Sequence, residues 1–246
     1  MKKILLLISL LASLIWAQPF QIKQITNLNA DCRNLSCGGY LGNVSYYTFE
    51  AHKENSSTVY LGQYFPNADS FAVIMQVTHD NFMNINPKLI YSNDSIFIVY
   101  QTNKNGNWDI AYQIYRNYQL SSVYYVADSS VDEINPVVST AHEVWYPYQD
   151  PYIAYEKGNS VYIKNMHIPD SIETEIFHGD DSTKYSQVSQ ENLNGFSELY
   201  IAALKVVNSK SFIVYRQLDY WGWGKEIVLA NNGNCRSPKI HIIWYE

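Results

Sequence analysis

Beyond its first seventeen residues the chain has no apolar run long enough to cross a bilayer as a helix. It has no basic cluster, and its 17 lysines and arginines are outnumbered by 23 acids, which makes nucleic acid a poor partner. Long stretches of helical periodicity are missing, so strands are left as the building element. The six histidines are scattered without the His-x-x-x-His spacing of a zinc helix, and neither EF-hand nor nonapeptide calcium spacing occurs. No metal and no cofactor is expected. No Gly-x-Ser-x-Gly elbow is present, although a Ser-His-Asp set drawn from distant positions stays open. Cysteine is scarce at three copies.

What is there begins with a leader. Residues 1–17 combine Lys2 and Lys3, an unbroken apolar stretch and Ala17 before Gln18, the layout of a bacterial secretory signal. No cysteine follows the apolar stretch at a cleavage position, so a lipid anchor is not expected. The mature chain, 18–246, is expected to be exported to the periplasm or beyond. Losing the two lysines leaves fifteen basic residues against 23 acids, a net charge of −8. Tyrosine, with 22 copies, stands out beside valine, isoleucine, phenylalanine and tryptophan, which is strand composition.

The most informative stretch is 86–115, NPKLIYSNDSIFIVYQTNKNGNWDIAYQIY. It reads as two strands, a turn at Asn105-Gly106-Asn107 and a third strand opening at Trp108-Asp109. From Ile96 to Tyr100 every residue is apolar, which predicts a short strand buried on both faces. Asn86-Pro87 recurs as Asn135-Pro136, more weakly as Ser186-Gln187, and as Ser237-Pro238, at intervals of 49, 51 and 51 residues, with Asn34-Leu35 about one interval earlier. Each marker ends a polar linker, and four strand-like runs lie between markers. Units of this length and content predict an all-β protein, a β-propeller of four-stranded blades. The blade units are about 36–86, 87–135, 136–186 and 187–237. Residues 20–26 and 239–246 are expected to share a partial fifth blade, so the chain is expected to be a piece of a longer propeller or a distorted five-unit ring.

The second unit, with its Asn-Pro start, apolar strand, Gly-bearing turn and Asp-Ile pair, resembles the repeat of TolB-like, WD-type propellers of the bacterial envelope. The other units share the strand layout without the turn; unit three shortens it to Glu156-Lys157-Gly158-Asn159. The resemblance implies the fold far more than an activity, because propellers host enzymes, scaffolds and receptors alike.

Two aromatic loops are candidate binding surfaces: Trp145, Tyr146 and Tyr148 in the first, and Tyr220, Trp221 and Trp223 in the second. Propeller topology sends both to one face, where they would suit sugar rings or a protein partner; filling gaps between blades is the alternative role. Glu50, Glu156 and Glu246 follow an aromatic residue near the end of an inner-type strand, with Gln101 at the equivalent place in unit two. Paired carboxylates at a propeller axis would mark a glycosidase. The first strands open instead with Lys88, Val137, Val188 and Lys239, so no catalytic residue is assigned. A sialidase-type aspartate box fails at Lys104 and Trp108. Asp128, Asp132, Glu133, Asp180 and Asp181 read as solvated linker charge. Of the cysteines, Cys32 and Cys37 are expected to close a small disulfide loop, with Cys32–Cys235 as the pairing that ring closure would produce. The leading expectation is a non-enzymatic module that binds an envelope or secreted protein. The second is a carbohydrate-active protein, either glycan-binding or a glycoside hydrolase.

Overall fold

The computed structural model describes residues 26–41, 44–142, 149–166, 171–192, 198–219 and 222–240. The leader at 1–17, most of the segment at 20–26 and the last six residues, including Glu246, lie outside them. The described residues form four antiparallel sheets, the blades of a β-propeller. The first holds β1 (Asp31–Leu41), β2 (Val44–Lys53), β3 (Ser56–Phe65) and β4 (Ser70–Gln76). The second holds β5 (Asn84–Ser92), β6 (Ser95–Thr102), β7 (Asp109–Arg116), and β8 (Gln119–Leu120) with β9 (Tyr124–Ala127), which share the outer edge of β7. The third holds β10 (Glu133–His142), β11 (Gln149–Lys157), β12 (Ser160–Asn165) and β13 (Thr174–Phe177). The fourth holds β14 (Thr183–Asn192), β15 (Leu199–Val207), β16 (Lys210–Asp219), and β17 (Gly222–Trp223) with β18 (Ile227–Gly233) on the outer edge of β16. The first strands line up round the axis, β1 beside β5, β5 beside β10, β10 beside β14.

Blades stack because their middle strands are apolar on both faces. All eight residues of β6 are buried. Ile96, Ile98 and Tyr100 point into the cluster shared with Tyr46, Val59 and Leu61 of blade one. Phe97 and Val99 point the other way, onto Ile153 and Tyr155 of blade three. Blades three and four repeat the arrangement, with Ile163, Phe177, Leu199 and Val214 in one cluster. Alternation of side chains along a strand thus feeds two cores at once, which requires the unbroken apolar run.

The repeat markers are not the ends of linkers. They lie inside the first strands, which begin two or three residues before the marker. At each marker the pairing with the second strand skips: between Arg33 and Ser36, Ile85 and Lys88, Ile134 and Val137, and Ser186 and Ser189. The skipped pair opens with a residue of positive φ: Asn34, Asn86, Asn135 and Gln187, at 51°, 52°, 55° and 53°. Such bulges use a left-handed residue, and they accommodate a proline because its missing N–H falls where the ladder is interrupted. The marker of blade four is therefore Gln187-Val188, one residue later than the periodicity indicates.

The first strands also approach closely at the axis. A Cβ on Gly38 would stand 2.3 Å from the Leu89 carbonyl oxygen of the neighbouring blade. Gly38→Ala should cost about 2–3 kcal/mol, since backbone cannot step aside as a flexible side chain can. The control is Gly224→Ala, whose nearest neighbour would be at an ordinary 3.4 Å. Urea denaturation of the two variants would check this; equal stabilities would contradict the close approach.

Candidate functional site: the propeller axis and the clasp beside it

The bulges build a chain of hydrogen bonds from blade to blade. In blade one, β2 brings Glu50 opposite Arg33, just before the bulge. The Glu50 carboxylate accepts the backbone N–H of Asn86 in blade two at 2.6 Å and the Asn34 amide of its own blade at 2.9 Å. His52 Nε2 lies 2.8 Å from the same carboxylate. Gln101 occupies the matching place in blade two and accepts the Asn135 N–H at 2.8 Å and the Asn86 amide at 2.9 Å. Glu156 does the same in blade three, accepting the Gln187 N–H at 2.7 Å and the Asn135 amide at 3.0 Å. The asparagines touch each other as well, Asn34 donating to Asn86 and Asn86 to Asn135, each at 3.3 Å. In blade four Leu204 stands opposite Ser186, so no acceptor exists there. The Ser237 N–H is instead accepted by the Gln187 side chain at 2.6 Å.

These carboxylates are structural acceptors. Glu50 and Glu156 are only 2% and 4% exposed, and burial raises the Glu156 carboxyl above its ordinary range, against the pull of its two donors. The expectation that they fall near the ends of second strands holds. Their hydrogen-bonding capacity is used to fix the left-handed marker residues of the next blade.

A cavity of about 320 Å³ opens along the axis among the first strands. The bulge register aligns five equivalent positions around it: Ser36, Lys88, Val137, Ser189 and Lys239. The fourth member is Ser189 rather than Val188, the same one-residue offset as at the marker. Burial lowers the Lys88 ammonium below its usual range, with Glu50 pulling the other way. Its Nζ reaches the Pro87 carbonyl at 3.5 Å. Among the described residues neither Lys88 nor Lys239 forms an ion pair. Gln190, on the same wall and 8% exposed, donates from Nε2 to the Tyr152 carbonyl at 2.8 Å. Its Oε1 is buried without a partner among the described residues. No carboxylate lines the described part of this cavity. Ser36, Ser189 and Gln190 escape sequence reasoning, although Ser36 and Ser189 share one offset from the left-handed bulge residue, which is a usable signal.

Most of the aromatic candidates, Trp145, Tyr146, Tyr148, Tyr220 and Trp221, lie outside the described residues. Trp223 is half-buried on β17, packed against the apolar cluster between blades three and four. Cys32 and Cys37 carry free thiols, so the expected loop is absent. Both sit on β1, opposite Ala51 and Tyr47, and an extended strand holds residues five apart beyond the roughly 7 Å limit for a disulfide.

Of the linker acids, Asp128, Asp132, Asp180 and Asp181 are exposed as expected, and Glu133 departs from expectation. Asp132 accepts the Trp108 N–H at 2.9 Å, and Asp180 accepts from Ser182 and Thr183 within its own turn. Glu133 is not solvated at all. It is fully buried, 3.4 Å from Lys157, which also meets Glu173 at 3.1 Å. Burial outweighs that ammonium and the Ser129 hydroxyl, and the Glu133 carboxyl is raised. A carboxyl raised by folding favours the folded state below its unfolded pKa, and that contribution is lost as pH rises through the folded value. Glu133→Gln should therefore narrow the stability difference between pH 4 and pH 7, read from melting curves at both. An unchanged difference would show that Lys157 fully compensates the buried charge. Among the described residues no three of His, Cys, Asp and Glu come together as metal ligands would.

No protein-family model and no curated protein sequence matches the chain. Several solved structures do. One is an exo-β-1,3-galactanase from Clostridium thermocellum, at 10% identity and a TM-score of 0.53, covering 81% of this chain and 49% of that one. Another is an α-L-arabinofuranosidase from Fusarium graminearum solved with an iminosugar inhibitor, at 11% identity and 0.52, covering 73% and 57%. A third is a GH62 hydrolase in complex with xylotriose, at 10% identity and 0.55, covering 85% and 71%. The chain thus spans about half the length of the first two. These are propellers of glycoside hydrolases, which overturns the TolB-like, WD-type assignment. That resemblance rested on one turn whose residues serve the blade itself: Gly106 has φ 101°, and Asp109 accepts the Asn105 and Asn107 amides. At such identities the likeness establishes the fold: the chain is an all-β propeller of four-stranded blades.

Proposed function

We propose that the protein is an exported, carbohydrate-active propeller that binds a glycan at the mouth of its axial cavity. The observation that carries this reading is the cavity itself, about 320 Å³ between first strands, in a fold shared with a galactanase, an arabinofuranosidase and a hydrolase holding xylotriose. Concave sites with a few convergent polar groups are where small ligands bind. The expectation of a protein-binding scaffold gives way to this reading, because no observation points to a protein partner. Binding is favoured over hydrolysis, since glycoside hydrolysis needs an acid and a second carboxylate across the bond, and the described lining offers neither. Trp145, Tyr146, Tyr148, Tyr220 and Trp221 are assigned to the stacking surface, on the face where first-to-second and third-to-fourth strand connections emerge, whereas Trp223 packs against the cluster between blades three and four. Export rests on the leader at 1–17; among the described residues no helix is long and apolar enough to cross a membrane.

A glycan array and a panel of chromogenic arabinofuranosides and galactosides test this together. Retention of array glycans without turnover of the panel is the expected result. Turnover would move the reading to the hydrolase alternative, and retention of no glycan would overturn it.

A further inference from the structure

The five positions that face the axis carry two lysines, two serines and a valine, with no acid. That is unusual for this chain. Acids exceed bases overall, and the carboxylates of Glu50 and Glu156, beside the first-strand bulges, are spent on backbone N–H groups of the neighbouring blades. Cationic charge has been left in the cavity while anionic charge has been tied up beside it. An oxocarbenium-like transition state carries positive charge, and a pair of ammonium groups would oppose it. The same pair would favour a bound carboxylate, more strongly than at an open surface because Lys88 is half-buried.

The second observation is independent of charge. Gln190 Oε1 is a buried acceptor on the cavity wall without a partner among the described residues, held in place by the Nε2 bond to Tyr152. An unsatisfied buried acceptor costs about 1–3 kcal/mol, which a ligand hydroxyl would recover. A ligand that offers an anion to Lys88 and Lys239 and a hydroxyl to Gln190 is a hydroxylated carboxylate. Resting on the carbohydrate reading above, we propose that the axial cavity selects acidic sugars, with the uronate carboxylate between Lys88 and Lys239 and a ring hydroxyl donating to Gln190. Ser189 accepts the Ile240 N–H at 3.2 Å, which leaves its hydroxyl proton free to point at the same carboxylate.

The test is calorimetric titration of the purified protein with trigalacturonate, with galactotriose as the neutral counterpart and with inorganic phosphate. Trigalacturonate should bind at least tenfold more tightly than either, and more weakly as salt is raised. Lys88→Met should reduce that affinity at least tenfold, whereas Lys88→Arg should keep most of it. Gln190→Met should weaken trigalacturonate while leaving phosphate unaffected. Melting curves of each variant separate loss of binding from loss of fold. Galactotriose bound as tightly as trigalacturonate, and equally by Lys88→Met, would overturn the acidic-sugar inference while the carbohydrate reading survives. Phosphate bound as tightly as trigalacturonate would overturn it too, by showing a plain anion site. Binding of no saccharide on this panel, with none on the glycan array, would remove both readings.

Discussion

Glu50→Ala should unfold the protein at a temperature lower by about 6–12 °C, the equivalent of about 3 kcal/mol in a chain of this length. The carboxylate is 2% exposed and receives three groups: the Asn86 N–H, the Asn34 amide and His52. Truncation leaves the Asn86 N–H enclosed without an acceptor at a residue held at φ 52°, a conformation that needs outside support. Glu50→Gln should cost less than about 1 kcal/mol, because an amide oxygen can accept the same N–H. Gln101 already demonstrates this in blade two, where it accepts the Asn135 N–H at 2.8 Å. Thermal melts of both variants decide the matter. Equal losses for Ala and Gln would mean that the charge, rather than the acceptor, holds the blades together.

Ile98→Ala should cost about 3–4 kcal/mol, the largest single loss expected from an aliphatic core position here. Ile98 is fully buried and belongs to the cluster between blades one and two, with Val59, Leu61 and Tyr100. A propeller blade is a rigid sheet bonded to its own hairpins, so it cannot collapse into the space that three missing carbons leave. Tyr118→Ala is the contrast: 86% exposed at a hairpin tip, it should change stability by less than about 0.5 kcal/mol. Urea midpoints at constant slope give both values. A small loss at Ile98 would mean that neighbouring blades slide to fill the void, and would argue against tight stacking.

These two positions mark the division between what is legible locally and what is not. The double-sided burial of β6 was written in the unbroken run from Ile96 to Tyr100, because only a strand with a core on each face has no use for alternation. The 50-residue period likewise determined the propeller, since equal four-stranded units have few other ways to bury both faces. The acids near the ends of second strands were visible too, as residue types at recurring places. Their role, and that of Gln101 between them, was not visible, because the groups served, the Asn86, Asn135 and Gln187 N–H, lie 36, 34 and 31 residues further along the chain. Only stacking of one blade on the next brings them within hydrogen-bond reach. The one-residue offset at Gln187 and Ser189 has the same origin: a bulge is decided by where the neighbouring blade offers an acceptor, not by the local pattern of apolar residues. The axial cavity is the furthest from the sequence. Its lysines, serines, Val137 and Gln190 come from five segments about fifty residues apart, and they share one wall only because the propeller places every first strand at the centre.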